Sequence, residues 1–290
     1  MKKIGFIGLG VMGYPMAGHI QLSGYEVSVF NRTEKKAIDW QAEFSGNVSP
    51  TVAQLSEDSD YIFLCVGNDE DVRSLVLGEG GILENVKKNT LIIDHTTTSS
   101  KLSIEISNLC QSKNVGYIDA PVSGGEVGAR EGKLTVMCGG DKNDLEKIYE
   151  VINCYSKFIK LMGPSGSGQL TKMVNQITIT GLIQSLSEAI YFSEKAGLDT
   201  DQVIDVISKG AAQSWQMENR WKTMLAGKYD HGFAVDLMRK DLKIAIEEGS
   251  LNGASLELTK QIDKFYEEIQ SLGGGRWDTS SLLERLKRNE

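Results

Sequence analysis

The sequence predicts a doubly wound, mostly parallel α/β domain followed by an all-α domain. Three observations carry that expectation. From residue 1 to about 160, short apolar runs alternate with polar amphipathic stretches. The runs in the middle of that region are apolar nearly throughout, and no comparable run follows the Gly/Pro/Ser cluster at 163–168. Such alternation implies parallel strands joined by crossover helices, and continuously apolar strands are those covered on both faces.

The first run, Lys3–Ile7, begins almost at the N-terminus. Gly8, Gly10 and Gly13 follow it in the pattern G-x-G-x-x-G, with Val11 and Met12 between the last two, and a second apolar stretch comes directly behind. A strand, a tight glycine turn and a helix start form the Rossmann-type arrangement that lays a dinucleotide pyrophosphate across a helix N-terminus. In that reading Gly8 makes the turn, Gly10 lets the backbone approach the phosphates and Gly13 lets helix and strand pack closely.

Further strands are expected at Glu26–Phe30, Tyr61–Val66, Leu91–Asp94, Tyr117–Asp119 and Leu134–Cys138. Amphipathic stretches such as Ser99–Ser112 and Lys142–Ile152 lie between them. The cluster Gly163-Pro164-Ser165-Gly166-Ser167-Gly168 sets the boundary, giving domains at 1–163 and 164–290. Beyond it, Leu170–Ala196 reads as one long helix. Its apolar stripe is broad, as for a helix that is buried or shared between subunits, so a homodimer or homotetramer is expected. Helices are also expected at Asp201–Ser208, Trp215–Leu225, Asp236–Ser250, Leu256–Leu272 and Thr279–Arg288.

The composition is that of a globular chain, 40% hydrophobic and 24% charged, and its 290 residues suffice for two domains. A net charge of -8 argues against general nucleic-acid binding, so an anionic substrate needs local positive charge. No window reads as a membrane span or as a signal peptide. Cys65, Cys110, Cys138 and Cys154 form no C-x-x-C and are expected as buried free thiols in a reducing, cytoplasmic setting. His19, His95 and His231 are scattered, and no metal site is expected.

The second strand carries the cofactor choice. Val27-Ser28-Val29-Phe30 is followed by Asn31-Arg32-Thr33, without the carboxylate that binds the ribose hydroxyls of NAD. Asn31 can bond ribose without repelling phosphate, the Arg32 fork can pair with a 2′-phosphate and Thr33 adds a hydroxyl. NADP is therefore the expected cofactor, with NAD possible. The plainer alternative makes Arg32 a solvated loop residue and Thr33 a helix N-cap.

Three further segments point the same way as the glycine turn: Asp119-Ala120-Pro121-Val122-Ser123-Gly124-Gly125, then Gly166-Ser167-Gly168-Gln169-Leu170-Thr171-Lys172-Met173-Val174-Asn175, then Phe233 through Lys240-Asp241-Leu242. With GFIGLGVMG at the start, the chain resembles the β-hydroxyacid dehydrogenase family along essentially its whole length, to a C-terminal Gly-rich stretch and Asp278. That family includes 3-hydroxyisobutyrate dehydrogenase and the tartronate, succinic and glyoxylic semialdehyde reductases.

The resemblance implies that Lys172 is catalytic. Chemistry supports the choice independently, because hydride transfer to an aldehyde leaves an alkoxide that needs a proton or a cation. A lysine near a helix start, where the macrodipole disfavours added positive charge, loses its proton readily. Asn175 is three residues on, on the same helix face, and can orient the substrate oxygen or the ammonium. Ser123, Gly124 and Gly125 form a second small turn able to hold the carboxylate of a small substrate.

The resemblance also implies that Lys240 and Phe233 reach the cofactor from the helical half, with Asp241 steadying that segment. It sets Thr96 and Thr97 near the nicotinamide. Val66, Gly67 and Asn68 end the third expected strand in the usual crevice at strand carboxyl ends; many relatives carry a Pro there that this chain lacks. His95 reads as structural. Trp215, Asn219, Arg220 and Trp221 either border the substrate pocket or pack between helices. The activity expected is NADP-preferring interconversion of a short β-hydroxy acid and its semialdehyde. An imine reductase, which lacks the lysine, and a non-catalytic NADP-binding scaffold are the alternatives.

Overall fold

A computed structural model describes residues 2–288. The chain forms two compact units that divide between Lys172 and Met173. Among the described residues the first unit holds nine strands in one sheet: β1 (Lys3–Ile7), β2 (Glu26–Phe30), β3 (Asn47–Val48), β4 (Tyr61–Leu64), β5 (Leu91–Asp94), β6 (Gly116–Asp119), β7 (Val122–Ser123), β8 (Leu134–Gly140) and β9 (Ser156–Gly163). Their order is β3-β2-β1-β4-β5-β6-β8-β7, with β9 also paired to β8. Strands β1 to β6 are parallel where they pair, with Ile4 opposite both Val27 and Tyr61. The chain runs from β1 outward to β2 and β3, then returns to β4 on the other side of β1. That reversal opens a crevice at the carboxyl ends of β1 and β4, where ligands of such sheets bind.

Both faces of this sheet are covered. Ile4, Phe6, Phe63 and Ile93 join one buried cluster, and their neighbours Ile7, Ile62, Leu64 and Ile92 join another. Successive strand residues point to opposite faces, so the clusters are the two sides of the sheet. The helix Gly13–Leu22 adds Met16, Ala17 and Ile20 to the first, and the helix Ser100–Ser112 adds Leu102, Ile106 and Cys110 to the second. Each fully buried large side chain of this kind contributes roughly 1.5–3 kcal/mol.

The sheet exceeds the expected one by β3, β7 and β9. Two residues cannot show a period, which hides β3 and β7. Strand β9 alternates an exposed face, Phe158, Lys160 and Met162, with a partly covered one, Ile159 and Leu161, so its apolar residues show no period and Lys157 and Lys160 interrupt the run. Strand β8 lies antiparallel to β6 and β7 and parallel to β9, so this end of the sheet is mixed. The run expected to Val66 stops at Leu64. Cys65 N–H still donates to the Ile7 carbonyl at 2.9 Å, but Val66 N–H turns to the Thr96 hydroxyl at 3.1 Å.

The second unit is helical. The long helix Ser167–Lys195 runs into it and is followed by Thr200–Ile207, Trp215–Leu225, Val235–Asn252, Glu257–Ser271 and Leu282–Arg288. One core gathers Ile183, Val235, Leu242, Ile262, Tyr266 and Ile269, and a second gathers Leu186, Ile190, Ile204, Met217 and Met224. The helix expected over Thr279–Arg288 opens as a 3₁₀ turn, Thr279–Ser281, because the Asp278 carboxylate takes both the Ser280 N–H (3.1 Å) and its hydroxyl (2.5 Å). Along the long helix Val174, Leu182 and Phe192 are exposed. Among the described residues no helix is long and apolar enough to cross a membrane.

Candidate active site

The glycine turn is built by sterics. Gly8 has φ +100°, and a Cβ on it would strike the Cys65 carbonyl and the Val66 side chain. A Cβ on Gly13 would strike the Gly8 carbonyl. Gly10 differs: nothing lies within 4 Å of where its Cβ would be. Gly8 N–H donates to the Phe30 carbonyl at 3.0 Å and Leu9 N–H to Asn31 Oδ1 at 2.8 Å, while Asn31 Nδ2 donates to the Thr33 carbonyl at 2.9 Å. Asn31 thus ties the turn to the end of β2, a role its position alone did not reveal. Met12 stands at the N-cap of Gly13–Leu22 with no side-chain cap, and the first turn has no acidic residue. Tyr14 N–H goes to the Gly10 carbonyl at 3.1 Å, and no side chain caps the first turn, so this helix start suits an anionic pyrophosphate.

Arg32 is 93% exposed, with its guanidinium 3.8 Å from the Asp71 carboxylate. Asp71 also accepts Gly67 N–H at 3.2 Å. Asn68 caps the helix Asp69–Leu77 through Asp71 N–H at 2.9 Å. Thr33 stands at the N-cap of Glu34–Phe44, but its hydroxyl makes no capping bond. A separate cavity of about 240 Å³ lies at the opposite, amino ends of the strands, between Lys3, Glu26, Asn47 and Asp58.

Behind the crevice sit two buried carboxylates. Asp94 accepts Thr96 N–H at 2.9 Å and the Tyr117 hydroxyl at 3.3 Å, yet burial pushes its pKa up to about 7. Burial likewise lifts Asp119 to about 6, against the opposing pull of N–H donors from Gly166 (2.7 Å) and Gln169 (3.0 Å). His95 is buried beside them, stacked on Phe63, with its ring nitrogens 2.5 Å from the Ala120 carbonyl and 2.8 Å from the Tyr155 hydroxyl. Burial lowers its pKa to about 4.

These shifts have a sign. A carboxylate whose folded pKa is raised binds its proton more tightly when folded, so its contribution to stability falls as pH rises from about 4 to about 7. His95, held neutral, contributes the opposite slope below its usual pKa. Asp94→Asn removes the Asp94 contribution alone. The variant is expected to gain stability relative to the parent as pH is raised from 4 to 8, by roughly 2–4 kcal/mol. Urea unfolding of both proteins across that range measures the difference, and a gap that is flat or shrinks with pH contradicts the assignment.

Lys172 is the sixth residue of Ser167–Lys195, in its second turn, beyond the first turn to which macrodipole effects are confined. Its environment is set by burial instead. The residue is only 7% exposed, and Nζ donates to the Val122 carbonyl at 2.9 Å. Val122 and Ser123 form β7, with Ser123 opposite Thr135. Gly124 and Gly125 follow with φ of +129° and +62°, and the short helix Gly125–Arg130 begins without a side-chain cap. The structure therefore brings Lys172 beside the Ser123–Gly125 turn. It also reveals Gln169, missed in the sequence, whose buried amide donates to the Thr96 carbonyl at 2.8 Å and accepts Thr98 N–H at 3.1 Å.

Within the second unit, Asn175 donates to Gln176 Oε1 at 2.8 Å, and Gln176 donates to the buried Asp241 at 2.6 Å. Lys240 Nζ is 3.1 Å from the same carboxylate. Asp241 thereby ties the helix Val235–Asn252 to the helix Ser167–Lys195. Phe233 N–H donates to Asp278 at 2.9 Å, with Arg220 3.5 Å from that carboxylate and over the Trp215 ring. Trp221 packs on the Leu186–Met224 core. All four cysteines are free, Cys110 and Cys138 buried but Cys65 and Cys154 only half-buried, because the last two lie at a strand end and a helix end. Among the described residues no three His, Cys, Asp or Glu side chains gather as a metal site.

Residues 3–163 match the family model described as the NAD binding domain of 6-phosphogluconate dehydrogenase. Residues 166–286 match the one described as NAD-binding of NADP-dependent 3-hydroxyisobutyrate dehydrogenase. An uncharacterized oxidoreductase of Shewanella frigidimarina is 51% identical, over 100% of this chain and 99% of its own. The 2-hydroxy-3-oxopropionate reductase of Escherichia coli K12 is 33% identical, over 98% of this chain and 97% of its own. Among solved structures, Mycobacterium tuberculosis 3-hydroxyisobutyrate dehydrogenase with L-serine superposes with a TM-score of 0.88 at 26% identity, covering 99% of both chains. Such matches, end to end and in both halves, are those of kin: the chain belongs to the β-hydroxyacid dehydrogenase family of NAD(P)-dependent oxidoreductases.

Proposed function

We propose that the protein is an NADP-preferring oxidoreductase that interconverts a short β-hydroxy acid, of the size of 3-hydroxyisobutyrate, and its semialdehyde. The observation that carries this reading is Lys172, an ammonium group buried in the first unit with Nζ 2.9 Å from the Val122 carbonyl, one residue before the Ser123–Gly125 turn. A buried lysine Nζ one residue from a glycine turn able to hold an anion suits a substrate with a carboxylate at one end and a reacting oxygen a few atoms away.

Gly8, Gly10, Val11, Met12 and Gly13 would hold the pyrophosphate, Asn31, Arg32 and Thr33 the adenosine ribose and its phosphate, and Val66, Gly67, Asn68 and Thr96 the nicotinamide side. Phe233 and Lys240 are assigned to the cofactor as well. Bound NADPH supplies the hydride. Lys172 gives its proton to the carbonyl oxygen in reduction and takes the hydroxyl proton in oxidation. The Ser123 hydroxyl and the N–H groups of Gly124 and Gly125 hold the carboxylate, and Asn175 orients the reacting oxygen. The exposed Val174, Leu182 and Phe192 support a homodimer or homotetramer, and the free thiols support a cytoplasmic setting.

The test is a panel of semialdehydes and β-hydroxy acids assayed with NADP(H) and NAD(H). Turnover of a carboxylated semialdehyde, faster with NADPH, is expected. Turnover of a cyclic imine with none on any semialdehyde, or tight NADPH binding with no turnover at all, overturns the proposal.

Arg32 decides the cofactor part. Arg32→Ala should weaken NADPH binding by about tenfold or more, the loss of a charge-assisted phosphate contact, and leave NADH within about twofold. Fluorescence titration measures both, and equal losses would show that Arg32 does not read the 2′-phosphate.

A further inference from the structure

The helix that carries Lys172 is fastened at its start by one buried amide. Gln169 is fully buried, and its side chain makes two bonds to the loop after β5: Nε2 donates to the Thr96 carbonyl at 2.8 Å, and Oε1 accepts Thr98 N–H at 3.1 Å. Its backbone N–H donates to Asp119 at 3.0 Å, which also accepts Gly166 N–H at 2.7 Å. Around this point there is no slack. A Cβ on Gly168 would strike the carbonyls of Met137 and Asp119, and one on Gly139 would crowd the Asp119 carboxylate. Thr96, which Gln169 grips by its carbonyl, is fixed at its N–H by Asp94 (2.9 Å) and with its hydroxyl accepts Val66 N–H at 3.1 Å. A continuous chain of bonds thus runs from the end of β4, through Thr96, to Gln169. Lys172 lies three residues further along the helix, on the same face.

We propose that Gln169 is a positioning residue for the reaction: it sets the height and rotation of the Lys172 side chain against Val66 and Thr96, in the loops that follow β4 and β5. Only a side chain with a donor and an acceptor on one planar group serves both the Thr96 carbonyl and the Thr98 N–H. This inference rests on the assignment of Lys172 as proton donor, and it adds the element that locates it.

Two variants of similar volume separate positioning from simple stability. Gln169→Met loses both bonds; Gln169→Glu keeps an acceptor for Thr98 N–H and loses the donor to Thr96. Both are expected to lower kcat about tenfold or more, with KM and the Kd for NADPH each within about threefold. In the cofactor-free protein, amide hydrogen exchange at Thr98 is expected to quicken in Gln169→Met while the rest of Ser167–Lys195 stays protected.

Combining Gln169→Met with Lys172→Ala completes the cycle. If Gln169 acts through Lys172, the double variant is no slower than Lys172→Ala alone. Multiplying losses, an unchanged kcat per folded molecule, or unchanged exchange at Thr98 each overturn the proposal while leaving Lys172 in place. A fast Lys172→Ala single variant instead removes the Lys172 assignment, and this inference with it, and that arm reports it separately.

Discussion

Gly10→Val is expected to leave folding intact and to weaken NADPH binding by roughly 10–100-fold, about 1.4–2.7 kcal/mol. Separating the two effects is possible because the three glycines of the turn are not equivalent. Gly8 and Gly13 face backbone atoms, and any Cβ on them must displace the chain. Gly10 faces open space, and its φ lies outside the left-handed region, so a branched side chain strains nothing in the unliganded protein. Gly10 directly precedes the uncapped N-terminus of Gly13–Leu22, where the phosphates are assigned. A thermal midpoint within about 2 °C of the parent, measured together with a fluorescence titration of NADPH, is the expected pair of results. Parent-like affinity in a folded Gly10→Val protein would move the pyrophosphate elsewhere.

Lys172→Ala is expected to lower kcat by roughly 10²–10⁴-fold, the range for removing a positioned general acid or base. The Kd for NADPH should stay within about threefold, because the residues assigned to the dinucleotide are carried by other segments. The change also leaves the Val122 carbonyl without its buried donor, a cost of about 1–3 kcal/mol in stability. Steady-state assays on the best substrate of the panel, with thermal unfolding alongside, separate these effects. Turnover above a tenth of the parent's removes Lys172 from the chemistry.

The glycine turn and the inner strands were legible because their physics is local. A strand covered on both faces must be apolar at every residue, as Tyr61–Leu64 and Leu91–Asp94 nearly are, and a turn with no room for a Cβ must be glycine. Strand β9 was hidden because apolar residues lie on both of its faces and Lys157 and Lys160 interrupt the run. Lys172 was singled out by resemblance, since a helical lysine ordinarily faces water; the stated physical support, a helix start, gave way to burial against Val122.

Gln169 stood in the sequence only as one member of the Gly166–Asn175 segment, with no role of its own. One glutamine in a helix looks like any surface residue until the loop it grips, some 70 positions earlier, is brought against it. Asp71 beside Arg32 is the same kind of contact. Partners that meet only through the fold carry no periodic or spacing signal, and they are what completes the site.

The central claim is that the Lys172 ammonium moves the proton in carbonyl reduction. Single turnover tests it most directly, because it isolates the chemical step from product release. Enzyme loaded with NADPH is mixed with excess semialdehyde, and the loss of reduced-nicotinamide absorbance is followed in the parent and in Lys172→Ala. The account predicts one rapid phase in the parent and the same phase slowed at least a hundredfold in the variant, with equal NADPH occupancy in both. Rates within tenfold of each other at equal occupancy would contradict it.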